Sequence, residues 1–425
     1  NLYLDGAGDQ AFTTNDQPLN NLYVSTGTSE VTVTGVLTIG NILDVDANQT
    51  LTLSNEMTVA GITTNDGSIT GGSDLMTFGD APADTVTNNG TITGGTGTLT
   101  FNGNVTNNGS GVITGGNALM TFTNALVTND GTITAGPVVD GLNSIIFAGN
   151  FAGNAGSALN GSTTTNPVIR FRGASTTVDT FTHNSDPVVF DGTGDQAFDP
   201  GGSGYAAVTV DKTGGTFTVN TNALSCTSLT ITNSGGCTFS TAVTAPILTL
   251  TATTGTIAFN QNLTVSNTLT NTGGSFDVNF YGATTSITCI PAAPASFSTS
   301  GTVRLGDGGD TFAFTTGFSR QTGPVEINGT LTTTNSNVFI TSPATLALTG
   351  TSQINTNGGN ITISGAITNA APQTLTLTAG AGNIETNGMI GTAALNLTSL
   401  TTSTTGTTTL ENRVYTTGNV SITGN

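Results

Sequence analysis

Tryptophan is absent from this 425-residue chain, histidine occurs once, cysteine three times, and only 7% of residues carry charge. With so few Lys and Glu residues, the exposed face of an amphipathic helix has nothing to be built from, and composition excludes a helical fold. The basic residues number six, namely Lys212, Arg170, Arg172, Arg304, Arg320 and Arg413, against 25 acidic ones, for a net charge of −19. No basic stripe exists to neutralise phosphates, which excludes nucleic acid as a partner. A single histidine, His183, and the lack of a G-x-S-x-G or phosphate-loop phrase leave covalent catalysis without support. Cys226, Cys237 and Cys289 are odd in number and match no zinc spacing, so the expectation is buried thiols, with a Cys226 to Cys237 bridge as the alternative. No apolar run approaches the roughly 20 residues of a membrane-spanning helix. No charged-then-apolar leader opens the sequence, and a start at Asn1 reads as a processed chain or a portion of a longer one.

What is abundant is Gly, with 58 residues, together with Thr and Asn, and short alternating runs such as "VTVTGVLTIG" and "TLTLTA". Alternation with period two is the signature of strands. Between residues 64 and 136 one phrase returns four times, as "TNDGSITGG", "TNNGTITGG", "TNNGSGVITGG" and "TNDGTITAG", which spaces Ile69, Ile92, Ile113 and Ile133 by 23, 21 and 20. A period near 20 is the size of one solenoid coil. Phe78, Phe101, Phe122, Phe147, Phe171 and Phe190 form a second ladder.

Three ladders run together from 208 to 278: Val210, Ile231, Leu250 and Leu269; Phe217, Cys237, Ile257 and Phe276; and Leu224, Val243 and Leu263. Gly215, Gly236, Gly255 and Gly274 keep step with them, as a corner needing positive φ in every coil would require. Val33 to Leu53 and Ile39 to Val59 repeat the spacing near the start, and Leu377 to Leu397 and Ile390 to Leu410 near the end. The expected fold is therefore all-β, a parallel β-helix of about 20 coils, each of roughly 19 to 25 residues with three short strands. Right-handedness follows from the general rule for parallel crossovers. A longer echo, "LDGAGDQAF" at 4 to 12, "FDGTGDQAF" at 190 to 198 and "LGDGGDTFAF" at 305 to 314, marks blocks starting near 1, 187 and 303 within a single continuous solenoid over 1–425.

The phrase "TLTLTAGAGNIETNGMIGTAALNLTSL", with the following "TTTLENRVYTTGNVSITG", resembles the repeats of filamentous-haemagglutinin-like bacterial adhesins, and "FDGTGDQAF" is similar to repeats of very large bacterial surface proteins. The resemblance implies secretion and a role at the cell surface in adhesion, coating or filament formation, and it brings no catalytic residues with it. Expected partners are further copies of the chain, stacked head to tail or laterally, neighbouring segments of a longer chain, or a surface glycan or protein ligand.

Two site candidates remain. The acidic, Gly-rich turns holding Asp5 and Asp9, Asp191 and Asp195, and Asp307 and Asp310 are candidates for Ca²⁺, though they match neither an EF-hand nor a calcium β-roll. The densest ionisable group, Arg170, Arg172, Asp179, His183, Asp186, Asp191 and Asp195, is where a carbohydrate-active β-helix would place its acids. Thr-x-Thr arrays also invite an ice-binding reading, against which stands a coil length that varies from 19 to 25 residues.

Overall fold

Alternating inward Val, Ile, Leu and Phe with outward Thr and Asn gives every short segment one apolar face. Such a segment is stable only when an identical one lies above and below it. The computed structural model describes residues 1–25, 29–123, 126–139, 141–163, 166–290 and 293–424, and among them every regular element is a strand. The strands stack in parallel as a β-solenoid of about 20 turns, a parallel β-helix. The chain forms two compact units, Asn1–Thr209 and Val210–Asn425.

In the first unit each coil contributes three strands, for example Met76–Phe78, Thr85–Asn88 and Thr91–Thr93. One side is a nine-stranded sheet running from Gln10–Thr13 to Thr180–Thr182. Its inward ladder joins Ile69, Ile92, Ile113 and Ile133 in register and continues through Leu159 to Phe181. The Phe ladder is equally continuous from Phe78 to Phe190, with ring centroids 4.8 to 5.5 Å apart and planes within 20° of parallel. These are stacked aromatic rungs at the strand spacing of a sheet. Val33 pairs with Leu53, and Ile39 with Val59, as their spacing predicts.

The second unit has the same plan, with a six-stranded side from Ala295–Phe297 to Thr408–Leu410. Leu224, Val243 and Leu263 are in register, as are Phe217, Cys237 and Ile257. Several expectations are corrected here. Ile257 pairs with Val278 rather than Phe276, and Leu269 pairs with Leu248 rather than Leu250, because alternation with period two makes a slip of two residues invisible in the sequence. Near the end the coils lengthen: Leu377 faces Thr402, Ile390 bridges Val414, and Leu410 faces Thr386. Of the four corner glycines, Gly215, Gly236 and Gly274 do have positive φ, but Gly255 does not. A Cβ on Gly255 would collide with the carbonyl of Gly235 in the coil before it, so closeness of approach is what demands glycine there.

All three cysteines are free and buried. Cys226 follows Leu224 on one side of the coil while Cys237 stacks between Phe217 and Ile257 on another, so no bridge forms. Burial pushes both thiols up to about 12.

Candidate functional site

The ionisable residues at 170–199 sit on successive coils of the first unit. In Val168–Phe171 the alternation buries Ile169 and Phe171 and turns Arg170 outward, in register with Val189 of the next coil. Arg170 Nη1 donates to Asp191 Oδ2 at 2.9 Å, and Arg172 Nε donates to Asp191 Oδ1 at 3.0 Å. Arg172 Nη2 adds a bond to Oδ2 at 3.2 Å, and Arg170 Nε reaches Asn143 Oδ1 at 2.5 Å. Both carboxylate oxygens of Asp191 are therefore held by guanidinium groups, in the fork geometry that Arg suits.

Asp179 and Asp186 serve the backbone. Asp179 Oδ2 accepts the Gly156 N–H at 2.9 Å. Asp186 is fully buried, and its Oδ2 accepts the Ser162 N–H at 2.6 Å while Oδ1 has no partner. Burial raises this carboxyl to about 7 against the opposing pull of the Ser162 N–H, so it is half protonated near neutrality. A perturbed acid of this kind is a usual marker of an active site. Here the group is sealed from solvent beneath the turn at 183–186, where Asn184 and Ser185 both take positive φ. His183 Nδ1 accepts the Ser185 N–H at 2.8 Å and so belongs to the same turn. The arrangement locks coils together, and no acid of this cluster both faces solvent and stands without a partner, Asp195 and Asp199 included.

The repeated acidic turns have a common construction that the sequence phrase conceals. A Cβ on Gly6 would meet the side-chain amide of Gln10, and one on Gly192 would meet that of Gln196 at 2.7 Å. Gln196 Oε1 accepts the Gly192 N–H at 3.0 Å, and its Nε2 donates to the carbonyls of Phe171 and Gly173 at 3.0 and 2.9 Å. In the third copy Asp310 takes the place of glutamine, and its Oδ2 lies 2.9 Å from a Cβ on Gly306 and accepts the N–H groups of Asp307 and Gly308 at 3.0 and 3.3 Å. The side chain four residues after the glycine thus folds back and fastens the turn. As to the Ca²⁺ candidates, Asp191 is tied to arginines, Asp310 to its own turn, and Asp9 Oδ1 to the Glu30 N–H at 3.1 Å, while Asp5 and Asp195 have interactions of their own. Among the described residues no three His, Cys, Asp or Glu side chains gather into a metal-holding group.

Three features escaped the sequence reading. Arg304 is flanked along its ladder by Asn279 and Glu326, and it binds Asp277 at 2.8 Å and Glu326 at 2.7 Å. Burial alone would raise the Asp277 carboxyl, but the Thr302 N–H and Arg304 hold it below the usual carboxylate range. Arg320 occupies an inward position between Phe297 and Ile340, fully buried, donating to the carbonyls of Phe297 and Gly301; burial lowers its guanidinium to about 10. The third is a buried column of asparagines, Asn65, Asn88, Asn107 and Asn129, each Nδ2 donating to the next Oδ1 at 2.7 Å. The "TND" and "TNN" phrases carried that signal, since an Asn at one fixed place in every coil is what a side-chain amide ladder requires.

The fold and these side chains define the class as an all-β parallel solenoid whose polar groups mostly join coil to coil. No family model matches the chain, and no curated protein or solved structure matches it either.

Proposed function

We propose that this chain is a non-catalytic structural or adhesive solenoid displayed outside the cell, of the kind found in filamentous-haemagglutinin-like surface proteins, and that it extends by stacking further coils on its open edges. The observation that carries the reading is that coils stack in parallel and spend their side chains on joining one coil to the next, as in the Phe78 to Phe190 ring stack and the Asn65 to Asn129 amide column. A coil edge is the kind of template onto which a parallel strand of a second copy pairs.

Composition supports display outside the cell: few lysines and a net charge of −19 keep such a surface soluble without helices. The paired state of Asp191 and the sealed state of Asp186 favour this reading over a carbohydrate-active enzyme. Electron microscopy of the purified protein, with and without a calcium chelator, tests it. Fibres with an axial repeat of about 4.8 Å support assembly through coil edges. Fibres that dissolve on chelation make the acidic turns calcium sites. Particles that never grow beyond one chain at any concentration refute self-assembly, and turnover of an acidic polysaccharide that disappears in Asp191→Asn refutes the non-catalytic reading.

A further inference from the structure

The nine-stranded side of the first unit differs from the side that carries the Phe ladder in the way its strands are turned. In Met76–Phe78 and Leu99–Phe101 the outer two residues are buried and one faces out. In Ser68–Thr70, Thr91–Thr93, Val112–Thr114 and Thr132–Thr134 only the middle residue is buried, so each rung presents two side chains. One outward column is Thr32, Thr52, Thr70, Thr93, Thr114 and Thr134, without a break in register. The companion column, two residues earlier, reads Thr50, Ser68, Thr91, Val112 and Thr132, with Val112 retaining the shape of threonine.

The variable coil length, which counted against a regular threonine grid, does not disturb it. Thr52 and Thr70 are 18 residues apart and Thr70 and Thr93 are 23 apart, yet both pairs are direct neighbours, because the extra residues lie in the corners. Rungs repeat at about 4.8 Å, and the two columns stand about 6.6 Å apart. Threonine is stiff at χ1, so the grid is preorganised. Among the described residues no hydrogen bond engages the hydroxyls of Thr52, Thr70, Thr93 or Thr114, whereas Thr123, Thr232 and Thr251 donate to backbone carbonyls of the preceding coil. Beside the grid, Gly72, Gly95 and Gly116 stack so closely that a Cβ on Gly95 would strike the Gly72 carbonyl, which keeps that flank flat. From Thr50 to Thr134 no outward position of these strands is charged, in a chain of net charge −19.

We propose that this face binds ice. A rigid, uncharged, nearly rectangular net of alternating hydroxyl and methyl groups approximates the oxygen rows on a prism face of hexagonal ice. The methyl groups order a water layer that the hydroxyls anchor, and that layer joins the growing crystal. A charged surface would instead hold water in hydration shells at odds with the lattice. This activity is independent of coil-edge assembly.

The test is ice-recrystallisation inhibition and thermal hysteresis on the intact chain. The unaltered protein is expected to inhibit recrystallisation, and the double variant Thr93→Lys, Thr114→Lys to lose that inhibition. Thr100→Lys, Thr121→Lys, on the neighbouring side, is expected to keep it, with all three circular dichroism spectra superimposable. An inactive unaltered protein overturns the proposal, as does equal loss in both doubles. A dimer in sedimentation that Thr93→Lys splits, without ice activity, assigns the face to a second copy and likewise overturns it.

Discussion

Replacing Asn107 by alanine removes the middle rung of the amide column. Asn107 Nδ2 donates to Asn129 Oδ1 at 2.7 Å and to the carbonyls of Gly111 and Thr132 at 3.1 and 3.2 Å, while its Oδ1 accepts from Asn88 at 2.7 Å. All four asparagines are fully buried, so no water replaces the lost partners. Leaving a buried amide group unsatisfied costs about 1 to 3 kcal/mol, and Asn107→Ala strands Asn129 Oδ1 while Asn88 Nδ2 loses its side-chain acceptor and keeps the carbonyls of Gly90 and Val112, for a total of about 2 to 4 kcal/mol. Asn65→Ala is a built-in control. Its register neighbour in the preceding coil is Val45, its Oδ1 already lacks a partner, and it bonds to only one other asparagine. Its loss is expected to cost about 1 to 2 kcal/mol. Repeat arrays open locally, so the appropriate assay is hydrogen exchange of the amides at 85–134 rather than a single melting temperature. Equal loss of protection in Asn107→Ala and Asn65→Ala would refute the idea that the column acts cooperatively.

Phe122→Ala, which removes a ring 4.8 Å from Phe101 and 4.9 Å from Phe147, is expected to cost about 3 to 5 kcal/mol and to open the same coils to exchange. Gly95→Ala is expected to destabilise by more than about 3 kcal/mol because of the Gly72 carbonyl, whereas Gly194→Ala, with open space at its Cβ, changes the denaturation midpoint hardly at all. Asp186 gives a pH signature. Its folded-state carboxyl is raised to about 7, so the folded chain holds the proton more tightly than the unfolded one, and the stability it contributes at acid pH is lost between about pH 4 and 7. The ceiling for that shift is about 4 kcal/mol, reduced to about 2 by relaxation and screening. Asp186→Asn should therefore gain on the unaltered protein in melts at pH 8 and match it at pH 4, and a gap that grows toward acid pH would contradict this sign.

Much of this molecule is written along the chain. Fixed recurrence of Ile69, Ile92, Ile113 and Ile133, and of the Phe ladder, determined a parallel solenoid and its register over residues 57–190, because in a stack of coils each residue's partner lies one period away. Scarce charge and alternating Thr determined that the outside would be polar without helices. Only the tertiary structure decided the rest. Whether Ile257 meets Phe276 or Val278 depends on how many residues the corners absorb, and period-two alternation accepts either register. The fate of the acidic turns rests on Gln196 and Asp310 folding back over Gly192 and Gly306, a local closure that composition does not encode. The threonine grid depended on the same physics. Strands hold their register through backbone bonds while corners take up every insertion, so a sequence of uneven period builds an even surface.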